Sequence, residues 1–199
     1  MDESTWVDEE FDDLDWYARD LSGETYRNCT FRDVDLTESF SRGATFESCE
    51  FSSCRFNAST HTGSAFVACD FRRTSFFGAT LDGCKLIGST FVDCTLRPLT
   101  VTGGQWRAVL LRGAKLADQD LEGLSLQEAD LSEADLSGAS LRGADLTGAI
   151  LRNAILSGAD LRGASLARAD LGAAGLRGTR VDVDGAIALA EQLGAVVEP

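Results

Sequence analysis

The stretch ADLSEADLSGASLRGADL, residues 129 to 146, returns to the same residue types every five positions. Leucine stands at 131, 136, 141 and 146, and alanine stands two positions before each. Extended along the chain, the leucine series becomes a register that runs unbroken from Phe11 to Val181. Of its 35 positions only Ser41 and His61 are neither apolar nor aromatic, and Leu111 to Leu176 are fourteen leucines in succession. The series two residues earlier is alanine ten times from Ala129 to Ala174, and mostly Cys, Ser or Ala before that.

Neither regular element accommodates this period. On an α-helix a five-residue step turns about 140°, which would spread the leucines over every face. On a flat strand an odd step alternates between faces. A chain that turns a corner after each repeat can point the central residue and the one two before it inward every time. The residues two after the centre give the number of sides. Gly23, Gly43, Gly63, Gly83, Gly103, Gly123, Gly143 and Gly163 form a column at spacing twenty, so four repeats make one coil. Glycine supplies the positive φ of a type II turn, and such turns are expected along that edge.

The expected architecture is an all-β solenoid, a right-handed quadrilateral β-helix of 35 repeats or 8.75 coils, about 42 Å long at the strand spacing. Nine of the eleven phenylalanines are central and precede residue 92, opposite small residues, whereas Leu pairs with Ala after residue 110. The two packing styles meet near Arg97-Pro98-Leu99. Residues 1–10 read as an N-terminal cap closed by Trp6, residues 11–181 as the β-helix, and residues 182–199 as a short C-terminal α-helix and tail. Asp182 or Asp184 suits the N-cap and Gly194 the C-cap of that helix. Its apolar residues Ala186, Ile187, Ala190 and Leu193, followed by Val196 and Val197, fit either a lid on the last coil or a homodimer contact.

Chemistry for catalysis is not found. His61 is the one histidine and occupies a central position, with Ser41 one coil below as a hydrogen-bond partner, and no third group orients the pair. All six cysteines lie in the inward series two before the centre, without a CxxC pair. They read as reduced core filling rather than disulfides or zinc ligands. Ice-binding β-helices need a flat array of outward threonines, and no column reads as one. The protein is expected to be no enzyme and to hold no cofactor or metal.

The formal charge of −14 sets a further boundary. A surface this acidic repels nucleic acid and anionic membranes and favours basic partners. No apolar run reaches a membrane span and the first residues are acidic, so a cytoplasmic protein is expected. The acids cluster twice. Residues 1 to 15 carry eight and no base, among them Asp8, Glu9, Glu10, Asp12 and Asp13. Asp118, Asp120, Glu122, Glu128, Asp130, Glu133 and Asp135 follow one another within eighteen residues, again with no base. One reading is a solvated surface that keeps a β protein soluble. The other is a docking surface for a basic groove: two rods end to end would carry about half the charge density of duplex DNA, which has one charge per ~1.7 Å.

The five-residue register resembles the pentapeptide-repeat family over residues 11 to 181. TWVDEEF near the start, GSTFVDCTLRPLT (88–100) and RVDVDGAIALAEQLG (180–194) are similar, more narrowly, to the MfpA-type fluoroquinolone-resistance proteins, relatives of the Qnr proteins. The resemblance implies a homodimer through the C-terminal segment and a rod that imitates DNA. It also implies binding to DNA gyrase, through the ATPase subunit, that modulates the enzyme and relieves quinolone poisoning, with a small GTPase as a further partner. Both acidic clusters then become candidate gyrase-facing surfaces. The alternative is a structural or interaction module for another partner, such as a small GTPase or regulator.

Overall fold

A computed structural model describes residues 4–192 and 194–198. The chain forms two compact units, Met1–Gln105 and Trp106–Pro199. Each is a right-handed, four-sided β-helix with a twenty-residue coil, and the second ends in a short helix.

The first unit contains the strands β1 (Thr5–Val7), β2 (Glu10–Asp12), β3 (Thr25–Arg27), β4 (Thr30–Arg32), β5 (Phe40–Arg42), β6 (Thr45–Glu47), β7 (Glu50–Ser52), β8 (Thr60–Thr62), β9 (Ala65–Val67), β10 (Asp70–Arg72), β11 (Ala79–Asp82), β12 (Thr90–Val92) and β13 (Leu99–Thr102). They make three parallel sheets, in the orders β1-β3-β6-β9, β2-β4-β7-β10-β12 and β5-β8-β11-β13. Every pairing joins residues twenty apart, as in Phe31↔Phe51 and Tyr26↔Phe46. The fourth side has single bridges only, such as Asp35↔Arg55.

The central residues stack ring on ring up the core. Centroids lie 4.5 Å apart for Phe31 and Phe51, 4.7 Å for Phe51 and Phe71, and 4.8 Å for Phe46 and Phe66. That spacing is the strand separation itself, so one parallel ladder sets both backbone and side-chain contact. Trp6 is the first ring of its stack, over Tyr26, and is 36% exposed.

In the second unit every corner from Trp106 to Leu176 carries a hydrogen bond from the residue three beyond the centre to the central carbonyl, as in Ala129 N–H to Leu126 O at 3.1 Å. The ladder there shrinks to one bridge per side, such as Asp130↔Ile150. Corners of both units take positive φ two residues after the centre, whether the residue is Gly163 (+74°), Asn153 (+58°) or Glu133 (+61°).

The turns expected along the glycine column are therefore found only in part. Gly23, Gly123, Gly143 and Gly163 lie in corners closed by that bond, but Gly43, Gly63, Gly83 and Gly103 do not. At those four the central residue stays in the ladder as part of a strand, leaving its carbonyl unavailable to its own corner. A short outward threonine patch is present, although no column is an unbroken array over its length. Register places Thr60, Thr80 and Thr100 in one outward column on β8, β11 and β13, with Thr62 and Thr102 beside it. Asp82 interrupts the second column.

The helix α1 (Val183–Gln192) follows the last coil. Asp182 is its N-cap, accepting the Gly185 N–H at 2.9 Å, and its other carboxylate oxygen takes the Gly163 N–H at 2.6 Å. Gln192 Oε1 accepts the Leu171 N–H at 3.2 Å, so the helix is tied down at both ends. Gly194, at φ +86°, closes a Schellman motif: its N–H meets Glu191 O and the Ala195 N–H meets Ala190 O.

Candidate protein interface

The core contains one polar island. Ser41 Oγ lies 2.7 Å from His61 Nδ1 and 2.8 Å from Ser64 Oγ, while His61 Nε2 lies 3.2 Å from Ser59 Oγ. Ser59 donates its only proton to the Phe56 carbonyl at 2.8 Å. It must therefore accept from Nε2–H, which leaves Nδ1 to accept from Ser41. His61 is wholly buried between Phe56 and Phe66, and desolvation pushes its pKa down to about 4. The imidazole is a neutral, satisfied core group away from solvent.

The cysteines also do more than fill space. All six are free thiols. Each donates to the carbonyl of the central residue 23 positions earlier, from Cys84 to His61 O at 3.2 Å to Cys29 to Trp6 O at 3.6 Å. Thr74 and Ser89 replace the thiol with a hydroxyl at the same place. Burial pushes Cys54, Cys84 and Cys94 up to about 11, which keeps them protonated as donors. Among the described residues no group of three or more His, Cys, Asp or Glu is placed to hold a metal ion. No helix among them is long and apolar enough to cross a membrane.

The acidic clusters lie on the surface. The two acidic clusters differ in kind. Asp8, Glu9, Glu10, Asp12 and Asp13 lie on and beside β1 and β2 and are exposed. Glu10 meets Arg32 at 3.2 Å, and the other four have no salt-bridge partner among the described residues. Residues 1–50 hold fifteen acids against four bases, so most of the net charge is concentrated there.

The second cluster winds round a full coil on every side, and its acids are largely engaged. Glu128 pairs with Arg107 at 3.0 Å, Glu133 with Arg112 at 2.7 Å and Glu122 with Arg142 at 4.0 Å. Asp120, Asp130 and Asp135 accept the backbone N–H of Glu122, Ser132 and Ser137, at 3.1, 2.9 and 3.1 Å. Asp118 is exposed at a corner.

Those aspartates follow a rule that the sequence reading missed. Asp15, Asp20, Asp35, Asp145, Asp160 and Asp170 make the same bond to the residue two on. All sit just before the central residue of a corner closed by the hydrogen bond to its own carbonyl. At such a corner the next N–H no longer reaches the coil below, and the carboxylate takes it as an Asx turn. The signal was present in the A-D-L pattern itself: an aspartate immediately before the central residue, whatever residue stands two further on.

The C-terminal candidates divide as well. Ile187 and Ala190 are half-buried and Ala186 is exposed. Val196 and Val197 are 87% and 41% exposed, and Leu193 lies outside the described residues. A groove of about 500 Å³ separates α1 from the coil at Gly163–Ala167.

Comparison with known proteins agrees with this geometry. The family described as pentapeptide repeats matches in eight copies, over residues 62–97, 110–148 and 139–180. No curated protein matches the chain. Three solved structures of QnrB1, described as a plasmid-mediated fluoroquinolone resistance protein, are similar in fold. One trypsin-treated variant is 22% identical with a TM-score of 0.82, covering 98% of both chains. A second trypsin-treated variant is 20% identical with a TM-score of 0.65, again over 98% of both. The full-length protein is 23% identical with a TM-score of 0.59, covering 96% of this chain and 100% of the other.

Proposed function

The chain belongs to the pentapeptide-repeat family, and from that footing we propose that it is a DNA mimic that binds DNA gyrase and protects it from fluoroquinolones or similar poisons. The observation that carries this reading is the carboxylate display of Asp8, Glu9, Asp12 and Asp13, unpaired among the described residues. They crowd within a single coil at the start of the ladder, where Asp12 precedes Arg32 in register, so the negative charge is concentrated on one exposed surface that a basic partner can meet. The likeness in fold to QnrB1 over 98% of both chains adds support, because that protein is described as conferring fluoroquinolone resistance.

The active species is a homodimer joined through the C-terminal segment. Support comes from the exposed Val196 and Val197 beyond a helix already fixed to its own coil by Asp182 and Gln192. Gyrase is engaged through its ATPase subunit, by complementarity between these carboxylates and a surface that ordinarily meets phosphate.

A supercoiling titration with gyrase, with and without a fluoroquinolone and at two salt concentrations, tests this reading. Salt-sensitive inhibition or protection supports it. A folded protein with no effect on active gyrase would overturn it and favour an interaction module for another partner, such as a small GTPase.

A further inference from the structure

The N-terminal end of the first unit presents an unfinished ladder. β1 pairs only with β3, and β2 only with β4, among the described residues. Asp8 N–H bonds to Arg27 O at 3.0 Å, and Ser4 O accepts from Thr25 at 3.0 Å. By the alternation of a parallel ladder, the N–H and C=O of Thr5 and Val7 therefore point away from β3. The same holds on β2 for Glu10 and Asp12, because Thr30 N–H bonds to Glu9 O and Asp13 N–H to Arg32 O. An outer edge unpaired among the described residues is a template for one more strand.

The side chains beside the edge indicate what that strand carries. Trp6 and Phe11 end their ring stacks, with Trp6 36% and Val7 47% exposed. At the same end the chain shows how such a ring is finished: the Arg19 guanidinium lies 3.9 Å from the Trp16 ring centroid and is held there by Glu24 at 3.2 Å. Trp6 has no such cation among the described residues, yet Asp8, Glu9, Asp12 and Asp13 stand by without salt-bridge partners there. A second copy of the same end would bring like charges together.

We propose that this end captures an extended, arginine-containing segment of a partner protein, which adds as a strand to the outer edge of β1 and lays a guanidinium against Trp6. Main-chain bonds to Thr5 and Val7 supply the attachment, and the cation over the ring with carboxylates around it supplies the selectivity. The carboxylates are those of the gyrase reading, but the mechanism differs: strand addition needs a free backbone edge, whereas DNA mimicry needs only outward charge.

The test uses the full chain and a fluorescent synthetic peptide, Thr-Val-Arg-Val-Thr-Arg, followed by polarisation. Saturable binding is expected, weakened roughly tenfold or more when citrulline replaces arginine. An N-methylated backbone should weaken it as much, because it cannot join the ladder. Val7→Pro removes an outward donor while sparing the bonds to β3, and should abolish binding with the thermal transition unchanged. Asp8→Asn with Asp12→Asn should weaken it without affecting folding. Equal binding of the citrulline or N-methylated peptide, full binding to V7P, or no binding at all would overturn the proposal. So would V7P changing self-association instead, which would make a second copy the occupant.

Discussion

Asp145 Oδ1 accepts the backbone N–H of Thr147 at 3.0 Å, two residues along and across a corner that Leu146 closes through its own carbonyl. The bond accounts for the aspartate of the repeat in structural terms before any partner is considered. An N–H excluded from the ladder needs an acceptor, and the carboxylate supplies it locally. The Thr147 side chain first, and then this N–H and Gln127, hold the Asp145 carboxyl below the usual carboxylate range.

Replacing that carboxylate separates its two roles. Asp145→Ala should cost about 1 kcal/mol by leaving a corner N–H without its acceptor. Asp145→Asn keeps an acceptor oxygen and should lose much less. Urea unfolding of both variants checks this, and equal losses would mean that charge rather than the Asx turn matters.

His61 gives the core a pH dependence. Its pKa is about 4 in the fold against an ordinary 6.5, so the unfolded chain takes up the proton first and folding weakens as pH falls through that window. Stability should drop by roughly 2 kcal/mol from pH 7.5 to pH 5 and continue falling towards pH 4. His61→Leu paired with Ser41→Ala should flatten that slope between pH 7 and 5. Ser41→Ala alone should destabilise, because it leaves Nδ1 buried without a donor.

Two glycines separate conformational strain from collision. Gly143 has φ +61°, and a methyl carbon added there would meet nothing within 4 Å, so Gly143→Ala should cost about 1 kcal/mol from backbone strain alone. At Gly104, φ +111°, a Cβ would fall 2.4 Å from the Cys84 carbonyl oxygen. Gly104→Ala should therefore cost roughly 3 kcal/mol or more, or prevent folding of the first unit. Thermal unfolding of the two variants compares them directly.

The acidic clusters should respond unequally to charge reversal. Asp8→Lys, Glu9→Lys and Asp12→Lys remove unpaired charges and should weaken gyrase binding strongly, with little change in stability. Glu128→Lys and Glu133→Lys act on acids already paired with Arg107 and Arg112. Their effect on binding should be smaller per charge. Binding measured at one ionic strength, with circular dichroism as the check on folding, distinguishes the two sets.

Much of the fold was legible because a period of five leaves few geometries open. The unbroken central series gave the coil, spacing twenty gave its four sides, and the Ser41–His61 bond followed from their shared column. Corner chemistry was not legible from glycine alone. Whether a corner closes on itself depends on whether its central residue stays in a strand, as at His61, or follows a single bridge, as Leu141 follows Ser140. That is decided by pairing across coils. For the same reason the second cluster looked like free acid: Arg107 and Arg112 lie 21 residues from Glu128 and Glu133 in sequence but adjacent in space.

Competition between this protein and a fluorescent DNA duplex for gyrase, at low and moderate salt, tests the DNA-mimic account most directly. The account predicts that the protein displaces the duplex, and that its affinity falls as salt rises because charge carries the contact. Binding that leaves the duplex in place, or an affinity indifferent to salt, would contradict it.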